Sequence, residues 1–306
     1  YRSTDNEEYE SFQFFKYHGV GRYTLLNNIP AFWGTYSLQT EKGIFYLENV
    51  KKRGFVTGSA QNHCAKETVA SDDVPPLQYS GYDHELNGFY CDPNNESPNN
   101  TLSNFHGSNS IVPRCLYGKH TGEYNMDYAL QFFDKYKDNA KLFHLGLMDN
   151  HEATAEGIVL LDHKIVKFFQ EFESRGYLKN TTVIIQTDHG HAFFSFYNVV
   201  QSKDQRKELT LPSLFIIMPK NNTNNFKEIR KTLIDNENSF ISPFTIYNSY
   251  QTLVGYEKEN VALYSIYNIF KDKIPHTLNC SQFYDKEYFK IAEYLCSCEN
   301  NTKPSD

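Results

Sequence analysis

The spacing of hydrophobic residues changes along the chain. Between residues 153 and 175, Ile158, Leu161, Ile165, Phe168, Phe169 and Phe172 recur at three- and four-residue intervals. That period predicts a long helix with one apolar stripe, ended by Gly176. Runs without polar alternation stand on either side: Leu142-Phe143-His144-Leu145-Gly146-Leu147-Met148 before it, and Val183-Ile184-Ile185 after it. A third run, Leu214-Phe215-Ile216-Ile217-Met218, stops at Pro219. Strands that lack alternation and are separated by helices predict an α/β fold, a mostly parallel sheet with helices on both faces.

The N-terminal third is less regular. Residues 12–18 read as a strand, about 25–33 as a short helix ending at Gly34, and 44–53 as a second helix ending at Gly54. Pro30 disfavours helical geometry at Ile29. Phe55-Val56-Thr57 opens a further strand, and about 127–137 reads as a helix. Residues 61–125 are rich in Asn, Ser, Gly and Pro and hold Cys64, Cys91 and Cys115. They are expected to form a loop-rich insertion stapled by disulfides. The length of 306 residues accommodates one large α/β domain or two. The expected division is an α/β domain over 1–275 and a Cys-rich tail over 276–306.

Composition narrows the function classes. A net charge of −7 argues against a nucleic-acid surface, which needs a basic stripe. Aromatic residues at 16% mark a folded chain, and no apolar run reaches membrane-spanning length. The six cysteines, completed by Cys280, Cys296 and Cys298, are too scattered for a zinc knuckle and permit fifteen pairings. Their even number predicts disulfides in an oxidising compartment. Glycosylation sequons at Asn95, Asn99, Asn180, Asn221, Asn279 and Asn300 point the same way, to secretion or a secretory-pathway lumen. The chain opens on Tyr1 with no signal peptide, so it reads as processed or incomplete.

Two apolar strands end in metal-type ligands: Asp149-Asn150-His151-Glu152, and Thr187-Asp188-His189-Gly190-His191. In open parallel sheets, sites form at the carboxyl ends of strands. With a single crossover helix between them, both clusters are expected on the same sheet edge. Carboxylate plus imidazole suits a divalent metal, zinc first, with manganese or calcium as alternatives. The plainer reading makes Asp188 a helix cap and His189 a hydrogen-bonded loop residue. Likewise only one of Asp149 and His151 need be functional. His144, inside an apolar strand, reads as a satisfied core histidine.

The run Thr182–Gly190 resembles the strand of the alkaline phosphatase and sulfatase superfamily that ends in Ser-Asp-His-Gly. More closely, the chain resembles the eukaryotic sulfatase-like family DUF229. Val20-Gly21-Arg22-Tyr23-Thr24-Leu25-Leu26-Asn27, Gly54-Phe55-Val56-Thr57, Glu208-Leu209-Thr210-Leu211-Pro212 and Ser242-Pro243-Phe244-Thr245-Ile246-Tyr247 match its segments in order. So does the ending Cys280…Cys296-Ser297-Cys298.

The resemblance implies an alkaline phosphatase-like fold and roles residue by residue. Thr24 stands at the nucleophile position and beside the metal, Asp188 and His189 at the metal ligands, and His151 where a histidine faces the substrate or leaving group. Asp149 is a further candidate ligand. The bland reading of Thr24 is an ordinary helix N-cap. The substrate class implied is a phosphate or sulfate ester on a small molecule, lipid or glycan, and a membrane anchor upstream of Tyr1 is also an expectation. Two departures stand out. No apolar strand bearing an acidic ligand precedes Thr24, and His191-Ala192-Phe193-Phe194 replaces the family's Arg and Gly. With only His276 beyond His191, a one-metal site is expected over a two-metal one. The alternative is a catalytically degenerate member that binds a ligand or partner without turnover.

Overall fold

The computed structural model describes residues 6–21, 23–36, 43–62, 81–86, 115–149, 157–190, 203–221, 223–256 and 265–280. The chain divides into two compact units, one of residues 1–49 with 178–306 and the other of residues 50–177. Among the described residues no helix is long and apolar enough to cross a membrane.

The first unit is built on a three-stranded sheet in the order β1-β8-β7, of Tyr9–Gln13 (β1), Val183–Gln186 (β7) and Leu214–Pro219 (β8). Both pairings are antiparallel, with Phe12 opposite Ile216 and Ile184 opposite Ile216 from the other side. The expected mostly parallel sheet is therefore corrected here. β7 and β8 are joined through the helix α5 (Lys203–Thr210), and their apolar runs carry no mark of direction. Leu214, Ile216 and Met218 are buried, and their face of β8 packs with Phe12, Phe14, Tyr17, Leu233, Ile241 and Ile246 into one apolar core. Helix α1 (Thr24–Trp33) continues through Pro30 and ends at Gly34, whose left-handed φ of 69° a side chain would strain. α6 (Phe226–Asn236) and α7 (Pro243–Leu253) complete this unit, with Ser242 capping α7 through the Thr245 amide.

The second unit carries a parallel sheet, to which one of the three apolar runs contributes a strand. Its order is β3-β2-β6, with β2 (Val56–Gln61) parallel to both β3 (His84–Leu86) and β6 (Lys141–Gly146). β6 thus pairs with β2, and β7 with β8. Helix α3 (Thr121–Lys135) lies against β2. A side chain on Gly58 would meet Phe143 at 2.6 Å and Phe132 at 2.9 Å, so only glycine fits. Phe133 of α3 stacks edge-on against Phe172 of α4 (Gly157–Ser174), ring centres 4.8 Å apart. Helix α2 (Tyr46–Lys52) straddles the division between the units. A short antiparallel hairpin, β4 (Cys115–Leu116) with β5 (Lys119–His120), precedes α3.

Within the segment read as a loop-rich insertion, β3, the hairpin and the start of α3 are regular structure. Residues 63–80 and 87–114, with Cys64 and Cys91, lie outside the described residues, as does the tail beyond Cys280.

Candidate active site

The first unit brings Thr24, Asp188 and His189 together across 165 residues of sequence. Thr24 is the first residue of α1. The residue before it, Tyr23, has extended backbone and offers no side-chain cap. The bland reading of Thr24 as an N-cap therefore fails. Its Oγ1 instead lies 3.2 Å from His189 Nε2. Asp188 Oδ2 lies 3.4 Å from the same nitrogen. Both residues follow directly from β7 and are partly exposed, the Asp188 side chain at 29% and the His189 ring at 13%.

Hydrogen-bond chemistry fixes the tautomer of His189. Nδ1 stands 2.6 Å from the Gly190 carbonyl, which can only accept, so Nδ1 carries the proton. With no proton on Nε2, the ring turns a bare lone pair toward the Thr24 hydroxyl and the Asp188 carboxylate. Two lone-pair atoms facing one another at 3.4 Å repel unless a proton or a cation stands between them. By donor chemistry, this set fits a divalent cation held by oxygen and imidazole nitrogen. Among the described residues no group of three His, Cys, Asp or Glu side chains gathers to hold a metal, so any further ligand must come from elsewhere.

The loops bearing these residues hang on one piece of backbone. Gly190 N–H donates to the Leu209 carbonyl at 3.1 Å, and Gly19 N–H donates to the next carbonyl, Thr210, at 2.8 Å. A Cβ on Gly190 would lie 1.9 Å from Glu208 O, so the backbone passes too close for any side chain. The end of α5 thus accepts from the loop of Asp188 and His189 and from the loop that leads to Thr24. This gives a physical reason for glycine after His189.

Beneath the site runs a buried chain that the sequence did not disclose. Tyr250 Oη donates to Gln186 Oε1 at 2.7 Å, and Gln186 Nε2 donates to Tyr17 Oη at 2.7 Å. Burial, and after it the charge of Asp188, pushes the Tyr17 hydroxyl far above its ordinary pKa, against the pull of the Gln186 bond. Tyr17 thus stays neutral and fixes the end of β7, two residues before Asp188. The only sequence signal was a polar Gln in an apolar strand.

Asp149 belongs to the other unit, where both carboxylate oxygens are engaged. Asn62 Nδ2 donates to Oδ2 at 2.6 Å, and His120 Nε2 lies 3.3 Å from Oδ1. His120 Nδ1 accepts from the Gly122 amide, so Nε2 holds the proton and donates it to Asp149. His151 and His191 lie outside the described residues. His144 bonds Tyr82 Oη at 3.1 Å through Nδ1, in keeping with a structural histidine.

Several solved structures share this fold at low sequence identity. The chain is similar to the C-terminal periplasmic domain of phosphoethanolamine transferase EptC from Campylobacter jejuni: 11% identity, 88% of this chain and 85% of that one, TM-score 0.52. It is similar also to a protein of a Bacteroides thetaiotaomicron locus for metabolism of glycosaminoglycans (13%, 86% and 75%, TM-score 0.52). A third likeness is to the lipoteichoic acid synthase LtaP of Listeria monocytogenes (13%, 86% and 66%, TM-score 0.50). A comparison with curated proteins finds no match. The chain belongs to the family DUF229, described as a protein of unknown function, whose profile matches residues 10–305.

Proposed function

We propose that this protein cleaves or transfers a phosphate or sulfate ester through a covalent intermediate on Thr24. The observation that carries this reading is the 3.2 Å approach of the Thr24 hydroxyl to His189 Nε2, with Asp188 on the same nitrogen. Thr24 Oγ bonds to the phosphorus or sulfur, the bond to the ester oxygen breaks with its electron pair on that oxygen, and the proton lost from the hydroxyl is matched by one that solvent delivers to the leaving oxygen. Water then releases the group from Thr24, or an acceptor alcohol takes it. The first amides of α1, with no side-chain cap, are oriented to hold the non-bridging oxygens. A divalent cation bound by Asp188, His189 and Thr24, zinc before manganese or calcium, would favour the alkoxide and neutralise charge on the transferring group.

The substrate class is an ester on a glycan, lipid headgroup or other extracellular molecule. It draws support from the phosphoethanolamine transferase, the lipoteichoic acid synthase and the glycosaminoglycan-locus protein that share the fold. An oxidising, extracellular or lumenal setting is supported by Cys280, which is disulfide-bonded, and by the exposed sequon residues Asn180 and Asn221.

A second reading, binding without turnover, is favoured by the small ligand set among the described residues. A panel of phospho- and sulfo-esters separates the two. Thr24→Ala and Asp188→Ala should each lower turnover on the order of 10³-fold or more. Wild-type turnover in either variant sinks the mechanism.

A further inference from the structure

We propose that Asn27 is a positioning residue for the Thr24 hydroxyl, shaping the start of α1 without consuming the amides that a bound oxyanion would need. This rests on the reading of Thr24 as nucleophile. Asn27 is fully buried in the second turn of α1. A buried carboxamide is costly unless satisfied, and this one is. Its Oδ1 accepts from the amides of Val20 at 2.8 Å and Gly21 at 3.1 Å. Its Nδ2 donates to the carbonyls of Gly21 at 2.8 Å and Tyr23 at 3.2 Å. Two N–H donors facing one end and two carbonyls facing the other fix the orientation of the amide.

All four bonds fall on Val20, Gly21 and Tyr23, immediately before Thr24. An amide that merely tied two elements together would reach across the core, as Asn236 does to Ile269 and Asp272. Asn27 instead acts as a template for the loop. The loop is fitted to it: a Cβ on Gly19 would lie 3.0 Å from Asn27 Oδ1, and one on Gly21 would lie 2.3 Å from Leu26 Cβ.

A helix usually begins with Ser, Thr, Asp or Asn, whose side chain accepts from the second or third amide. Here Tyr23 holds that place and gives no such bond. A conventional cap would compete with a substrate oxyanion for the same N–H groups. Asn27 fixes the helix start from within, through carbonyls and through amides upstream of the helix.

The test uses the full chain with Asn27→Ala, and Asn27→Asp, which keeps both Oδ1 bonds, should the first fail to fold. Turnover on the ester panel should fall about a hundredfold in kcat, with KM within about threefold, since a misplaced reacting atom costs rate on that scale. In metal-free protein, the His189 Nε2 nitrogen resonance should move as it does in Thr24→Val, because both variants remove the hydroxyl from that nitrogen. Unchanged kcat, or a His189 signal that stays put in a folded variant, overturns the proposal. If wild type turns over no ester, the Thr24 mechanism fails, and the His189 resonance still decides whether Asn27 places the hydroxyl.

Discussion

Gly190 offers the sharpest physical test of the site. In Gly190→Ala the new methyl would lie 1.9 Å from Glu208 O and 2.6 Å from Glu208 C. The obstacle is backbone, with no side-chain end to swing away, so the two segments must part by more than ~1 Å before ordinary contact is reached. That movement stretches the 3.1 Å bond from Gly190 N–H to Leu209 O beyond use. One lost hydrogen bond costs about 1 kcal/mol and overpacking of this kind about 1–3 kcal/mol, so a loss of about 2–4 kcal/mol is expected. The lone tryptophan, Trp33, ends α1 in the same unit and stacks on Phe45 at 4.5 Å, so urea unfolding followed by its fluorescence reads the right part of the chain. Any affinity of the proposed cation site for zinc or manganese should fall in parallel, because the Gly190 carbonyl orients the His189 ring. A variant within ~0.5 kcal/mol of wild type, a typical surface effect, would refute the close passage of α5 behind the site.

Two further outcomes follow from buried and partly buried groups. Tyr17→Phe leaves Gln186 Nε2 without its 2.7 Å acceptor in a buried place, and urea unfolding should show a loss of about 1–2 kcal/mol. At Asp83, burial alone would raise the carboxyl pKa. Hydrogen bonds from Lys51, Thr57 Oγ1 and Thr57 N–H outweigh it and hold the pKa below its ordinary 3.8. A depressed folded pKa contributes stability above the unfolded value, and that contribution is lost as pH falls through the folded one. Asp83→Asn should therefore lie below wild type at neutral pH, and a pH series of unfolding curves should show the gap closing only below about pH 4.

What could be read from the chain depended on how side chains report burial. The stripe of α4 and the unbroken runs of β7 and β8 came through because continuous apolar surface has few other uses. Direction did not: an apolar run pairs equally well with a parallel or an antiparallel neighbour, and β7–β8 proved antiparallel. The second half of β2, Gly58-Ser59-Ala60-Gln61, has none of the bulk expected of a central strand, because Phe132 and Phe143 fill the space above Gly58. Helix α3 begins at Thr121, ahead of the expected 127, because His120 caps it with a ring nitrogen while Glu123 returns a bond to the cap amide. Histidine is not among the usual capping residues. The approach of Thr24 to Asp188 and His189 agrees with what resemblance and strand position led one to expect. The backbone behind Gly190 and the amide of Asn27 were not legible, since both depend on segments brought together only by folding.

The adjoining carbonyls of Leu209 and Thr210 have a mechanical consequence. Each anchors one jaw of the proposed site, so a shift of α5 as a body would carry both loops with it. The spacing of hydroxyl and imidazole would then depend on that dipeptide keeping both anchors.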